Sequence, residues 1–132
     1  MTLVDSNVLI DIVQDDPNWA DWSSAALEDA AVGGAIAINA IVYAEISVTY
    51  ESIEELDEML SSLNVQRLEL SYAAAFLAGK AHREYRRRGG PSRSPLPDFY
   101  IGAQAVLEGH ALLTRDPRRY RSAFPRLKLI AP

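Results

Sequence analysis

The chain has 132 residues, of which 48% are apolar, so it is long enough for one domain (residues 1–132) with a buried core and too apolar to be disordered. It has no cysteine and two histidines, which excludes a disulfide framework, a thiolate zinc site, a cysteine nucleophile and a histidine-rich metal centre. Net charge is −5, but residues 1–66 carry 13 acids and no Lys or Arg, whereas residues 67–132 carry all 13 basic residues and five acids, so the halves stand at −13 and +8. Such asymmetry marks either an uneven but ordinary solvated surface or a polyanionic or oppositely charged partner.

In chain order, Thr2–Val4 reads as a short buried strand that ends on Asp5-Ser6-Asn7. The polar trio suits a helix cap, and residues 8–13 continue as a first helix. This apolar run is interrupted by Asp11 and lacks basic residues before it, so it is not a signal peptide. Pro17 suits the first turn of a second helix carrying Trp19, Trp22, Ala26 and Leu27, which stops near Gly33-Gly34. The two tryptophans read as packing residues. Residues 35–38, Ala-Ile-Ala-Ile, form a second buried strand, and Asn39 caps a helix with Ile41, Val42, Glu45, Ile46 and Val48.

An acidic helix over residues 52–63 follows, with Ile53, Leu56, Met59, Leu60 and Leu63 at helical spacing. Residues 65–70 form a third strand, and residues 72–88 a long helix whose basic end complements the helix dipole. Residues 89–97, rich in Gly, Pro and Ser, read as a loop. Helical patterning resumes over residues 98–107, Ala111–Leu113 is a strand, Asp116-Pro117 opens a short turn or helix, and residues 127–130 form a last strand. Short apolar strands alternating with helices predict an α/β fold, a three-layer α/β/α arrangement around a parallel sheet of four to five strands. No run approaches the roughly 20 apolar residues of a membrane span, so the expectation is a cytoplasmic protein without a membrane partner.

Four acids sit where acids are locally unexpected. Asp5 and Asp116 closely follow strands, Glu45 lies inside an apolar stretch, and Asp98 follows the Pro-rich loop and precedes Phe99-Tyr100-Ile101-Gly102-Ala103. A carboxylate beside a buried run is costly unless paired or metal-bound. Hard cations such as Mg²⁺ and Mn²⁺ take such oxygen ligands, and in open parallel sheets ligands sit beyond the carboxyl ends of the strands. Taken singly, each acid also has a plainer use: Asp5 as a helix cap, Glu45 on a solvated helix face, Asp98 as a helix start and Asp116 as a turn residue. Asp11, Asp15 and Asp16 and the acidic run from Glu51 to Glu58 read as solvated, Asp11 being the one whose exclusion from the site is least secured by its surroundings. His82 and His110 read as surface or core residues, not as a general base.

The order and spacing of Val4-Asp5-Ser6-Asn7-Val8-Leu9, the 38–46 stretch with Glu45, Leu96-Pro97-Asp98-Phe99-Tyr100-Ile101-Gly102-Ala103 and Leu112-Leu113-Thr114-Arg115-Asp116 resemble the PIN-domain family over residues 2 to about 130, most closely its VapC-type toxins of bacterial toxin–antitoxin pairs. The resemblance implies a Mg²⁺- or Mn²⁺-dependent endoribonuclease that cleaves RNA phosphodiesters by metal-activated water, a homodimer, and a cognate antitoxin protein that blocks the pocket. It implies Asp5, Glu45, Asp98 and Asp116 as the catalytic set, with Asp5, Asp98 and Asp116 on the metal and Glu45 orienting water or a second ion. Ser6 and Thr114 would hydrogen-bond these carboxylates and fix their direction. Of the basic residues flanking Asp98 and Asp116, Arg93 and Arg115 are the candidates for phosphate contact. The alternative is a non-catalytic RNA- or protein-binding module on the same scaffold. A phospho-acceptor signalling domain does not fit, because no Asp follows the third strand and the first strand ends on a lone Asp5.

Overall fold

The computed structural model describes residues 1–89 and 96–132; Arg93 and most of the predicted 89–97 loop lie outside them. Five strands, β1 (Thr2–Val4), β2 (Ile36–Asn39), β3 (Gln66–Leu68), β4 (Ala111–Leu113) and β5 (Leu129–Ile130), form one sheet in the order β3-β2-β1-β4-β5. Every pairing is parallel, with Leu3 beside both Ala37 and Leu112. Among the described residues, seven helices flank the sheet: α1 (Ser6–Val13), α2 (Ala20–Gly33), α3 (Ala40–Ser47), α4 (Ile53–Ser62), α5 (Tyr72–Arg87), α6 (Leu96–Glu108) and α7 (Arg118–Ala123). The expected three-layer α/β/α architecture is thus the observed one.

The central strands have no solvent face. Leu3, Val4, Ile36, Ala37, Ile38, Leu112 and Leu113 are all buried, as expected of a parallel sheet covered on both sides. Each large aliphatic side chain buried this way stabilises the fold by about 1.5–3 kcal/mol relative to exposure. The edge strand β3 departs from this pattern, with Gln66 and Arg67 exposed, and a charge on an open edge discourages further strand pairing. No helix among the described residues is long and apolar enough to cross a membrane.

Several element boundaries differ from the sequence expectation for local reasons. The first helix begins at Ser6, because Asp5 is the cap and its carboxylate accepts the Ser6 N–H. The second begins at Ala20, not at Pro17, because the Asp16 carboxylate accepts the N–H groups of both Asn18 and Trp19 and holds a separate turn ahead of the helix. Val48 falls past the end of α3 and is exposed. The sixth helix starts two residues early, at Leu96, since Pro97 in a first turn removes no intrahelical hydrogen bond. Asp98 then sits in that first turn, where the helix dipole favours a negative charge.

Helices α6 and α7 meet at Gly102. A Cβ on this residue would stand 2.5 Å from Phe124 Cε2 and 3.2 Å from Tyr120 Cδ1. Phe124 and Tyr120 are themselves buried, so neither ring has free space to enter. Gly102→Ala should therefore lower stability by about 1–3 kcal/mol, the usual cost of overpacking, read as an earlier thermal melt. A melt unchanged from wild type would show that α7 can move outward freely.

Candidate active site

The strand order reverses direction between β1 and β4, the position at which doubly wound sheets open a crevice at the carboxyl ends of their strands. Asp5 leaves β1 there, and its N–H donates to the Leu113 carbonyl at 2.9 Å. Thr114 leaves β4 beside it, and its hydroxyl donates to Asp5 Oδ2 at 2.9 Å. Both residues are buried.

A web of donors surrounds Asp5. Oδ1 accepts the Ser6 N–H at 2.8 Å, and Oδ2 accepts the Thr114 hydroxyl, the Tyr120 hydroxyl at 2.9 Å and the Asn7 side-chain amide at 3.4 Å. Asn7 braces the site across the sheet: its amide nitrogen also donates to Thr114 Oγ1 at 3.2 Å, and its Oδ1 accepts the Arg115 N–H at 3.3 Å. Thr114 Oγ1 in turn accepts the Asp116 N–H at 3.1 Å, which fixes the backbone that carries Asp116. The exposed Asp116 side chain stands at the rim.

Glu45 reaches the same place from α3. Its Oε1 accepts the Ser6 hydroxyl at 3.1 Å, so Ser6 links Asp5 through its backbone and Glu45 through its side chain. Asp98 comes from the first turn of α6 and pairs with Arg119 of α7 at 3.0 Å. The setting of α6 depends on a buried amide bridge. Asn39, at the end of β2, donates to Gln104 Oε1 at 2.9 Å, and Gln104 donates to the Glu69 carbonyl at 2.9 Å. A helix, a strand end and the chain after β3 are thereby tied together.

The four acids stand close enough for their charges to act on one another. Burial raises the Asp5 carboxyl above its usual range, against the opposing hydrogen bonds from Thr114, Tyr120 and Ser6. Burial, and then the Asp5 charge, raises Glu45. Asp98 is pushed up to about 6, first by burial and then by the negative charges of Asp5, Glu45 and Asp116, with Arg119 pulling the other way. Burial also raises the Tyr120 hydroxyl well above its ordinary value, so it remains a donor.

An all-carboxylate donor set with one paired guanidinium has the chemistry of a hard divalent-cation site. Among the described residues, no three His, Asp or Glu side chains already stand at metal-ligating separation. The residues fit Mg²⁺ or Mn²⁺ by donor type and by their excess negative charge, with Asp98 drawn toward Arg119 instead of toward the other acids.

Two sequence expectations change. Asp11 is not solvated: it is buried and accepts the Ser23 hydroxyl at 2.9 Å and Arg115 Nε at 2.8 Å. Arg115, expected to contact phosphate, therefore spends its Nε on Asp11 and lays its guanidinium over the Trp19 ring at 5.7 Å. Trp19 packs edge-on against Trp22, and His82 edge-on against Phe99, in keeping with packing roles. Sequence reasoning missed Asn7 and Tyr120 as members of the site, and it placed Arg119 only among the arginines around Asp116 without singling it out. The signal available for Tyr120 was its four-residue spacing from Phe124, which marks one inward face on an otherwise Arg-rich helix.

The model of the PIN domain family matches residues 2–125. No curated protein shows significant sequence similarity to the chain. Among solved structures, a chain of VapBC2 from Rickettsia felis, a complex bound to a promoter DNA fragment, is 22% identical with a TM-score of 0.77, over 99% of this chain and 98% of that one. A chain of a toxin–antitoxin complex from Klebsiella pneumoniae is 24% identical with a TM-score of 0.72, over 98% and 96%. A chain of VapBC-1 from nontypeable Haemophilus influenzae is 16% identical with a TM-score of 0.74, over 98% and 96%. The fold is shared with all three, and the family match spans nearly the whole chain: it belongs to the PIN domain family.

Proposed function

We propose that the chain is a divalent-metal-dependent endoribonuclease and the VapC-type toxin of a toxin–antitoxin pair, acting on RNA in the cytoplasm. The observation that carries this reading is the gathering of Asp5, Glu45, Asp98 and Asp116, from four separate segments, near the switch point of the sheet with Arg119 the one cation paired to them among the described residues. Such an arrangement is destabilising by itself and becomes favourable when a cation neutralises it. The likeness to chains of toxin–antitoxin complexes supports the partner assignment.

Asp5, Asp98 and Asp116 would hold Mg²⁺ or Mn²⁺. A bound ion would supply positive charge and Lewis acidity toward the phosphate and its attacking water. Glu45, held by Ser6 beside Asp5, would orient the attacking water and accept its proton. Arg119 is bonded to Asp98, and with a cation held by Asp98 its guanidinium would be available to the scissile phosphate or its neighbour. Arg93 and the outer nitrogens of Arg115 are further proposed phosphate contacts.

An antitoxin would cover this pocket, and a second copy of the chain would complete a homodimer. Tyr72 and Phe76, one turn apart on α5 and 96% and 69% exposed, offer apolar surface for a protein contact of that kind. The deciding experiment is incubation of the purified protein with total RNA in Mg²⁺ or Mn²⁺ and in chelator. Cleavage at discrete positions that stops with chelator is expected. RNA binding without cleavage under every metal condition would replace this reading with the non-catalytic module.

A further inference from the structure

We propose that Tyr120 is a positioning residue of the reaction: its hydroxyl fills one oxygen of Asp5, so that Asp5 offers only its other oxygen to the divalent cation. The inference rests on the nuclease reading above.

The hydrogen-bond count on Asp5 carries it. An ionised carboxylate has about four lone-pair sites, two on each oxygen. Oδ2 receives the Thr114 and Tyr120 hydroxyls, each at 2.9 Å, with the Asn7 amide further off at 3.4 Å. Both of its sites are taken. Oδ1 receives the Ser6 N–H, at 2.8 Å, and among the described residues no hydrogen bond from any residue but Ser6, so it is the more open of the two oxygens. The same Ser6 holds Glu45 through its hydroxyl, so the open oxygen belongs to the side of Asp5 tied to another acid of the set.

Tyr120 is built to hold this bond. The residue is 2% exposed, and its ring is set against Gly102 where no Cβ intervenes. A phenylalanine would fill the same apolar slot, so packing alone gives no reason for the hydroxyl. Without it, Oδ2 regains a lone pair, and the carboxylate gains freedom to turn or to bind in a second mode. Hydrogen-bond partners that direct a ligand in this way typically matter 10- to 100-fold in metal affinity.

The test is Mn²⁺ calorimetry on the full metal-free chain, wild type beside Tyr120→Phe, with thermal melts and RNA kinetics in parallel. Tyr120→Phe should bind Mn²⁺ about tenfold more weakly. Its KM for RNA should stay at the wild-type value, and raising Mn²⁺ should restore kcat. An affinity within twofold of wild type overturns this inference alone. A wild type that takes up no Mn²⁺ removes the nuclease reading and this inference together. If Tyr120→Phe does not fold, 3-fluorotyrosine incorporated at position 120 replaces it. Its fluorine resonance should shift on Mg²⁺ addition and saturate with the calorimetric isotherm, and an unmoved resonance in a metal-binding chain overturns the proposal.

Discussion

Asp98→Asn should reduce RNA cleavage by roughly a thousandfold while making the metal-free protein melt later, not earlier. The first half follows from the size of the contribution a bound ion makes, several kcal/mol of transition-state stabilisation, at about 1.4 kcal/mol per tenfold in rate. The second half follows from the electrostatics. Burial and three neighbouring acids raise the Asp98 carboxyl to about 6 even though Arg119 is bonded to it. Near pH 7.5 the ionised form is therefore a net burden on the fold, and a neutral isostere removes it. Loss of the ion pair weighs little against this, because Arg119 is one-third exposed and solvated pairs of that kind contribute 0–1 kcal/mol. The combination is diagnostic: an ordinary structural acid loses stability on neutralisation, whereas a ligand held apart from its cation gains it. Cleavage by Asp98→Asn at the wild-type rate would remove Asp98 from the site.

The strands and the four acids were legible because their signals are local. Asp5 stands one residue past an apolar strand and Asp116 follows another, and Glu45 breaks an apolar run. A parallel sheet converts each of those positions into an address at one end of the molecule. What was not legible depends on which distant segment packs against which. Tyr120 reaches Asp5 across 115 positions and Asn7 reaches Thr114 across 107, and no periodicity encodes either pairing. Asp11 shows the same limit in reverse. On a helix with mixed polarity it reads as solvated, but Arg115, 104 positions later, and Ser23 from α2 close over it. That contact redirects an arginine that its neighbourhood in sequence had assigned to phosphate. The late start of α2 is a smaller case, in which the Asp16 carboxylate outcompetes the preference of Pro17 for a first turn.

The same electrostatics predict that pH and Mg²⁺ act on stability in opposite senses. Asp5, Glu45 and Asp98 are all raised in the folded chain, with burial the first cause for each. An unfolded carboxyl releases its proton near pH 4. Between there and about 6 the folded state of Asp98 holds a proton that the unfolded state has lost, so stability falls as pH rises through that window and the advantage is gone above it. Asp98 alone should make the metal-free protein about 1 kcal/mol more stable at pH 5 than at pH 7.5. Asp57 is lowered by its bonds to Tyr43 and Arg67, and it has the opposite sign, but its loss begins below the unfolded value and outside this range. Mg²⁺ requires the deprotonated ligands, and at about 100 times its Kd it should add about 2.7 kcal/mol. That gain should be full at pH 7.5 and largely absent at pH 5. Melting curves at the two pH values, in chelator and in Mg²⁺, should therefore reverse their order. Asp98→Asn should flatten the chelator pair and remove most of the Mg²⁺ shift. An equal Mg²⁺ shift at both pH values would mean that the ion binds away from these carboxylates, and the four acids would have to be explained without it.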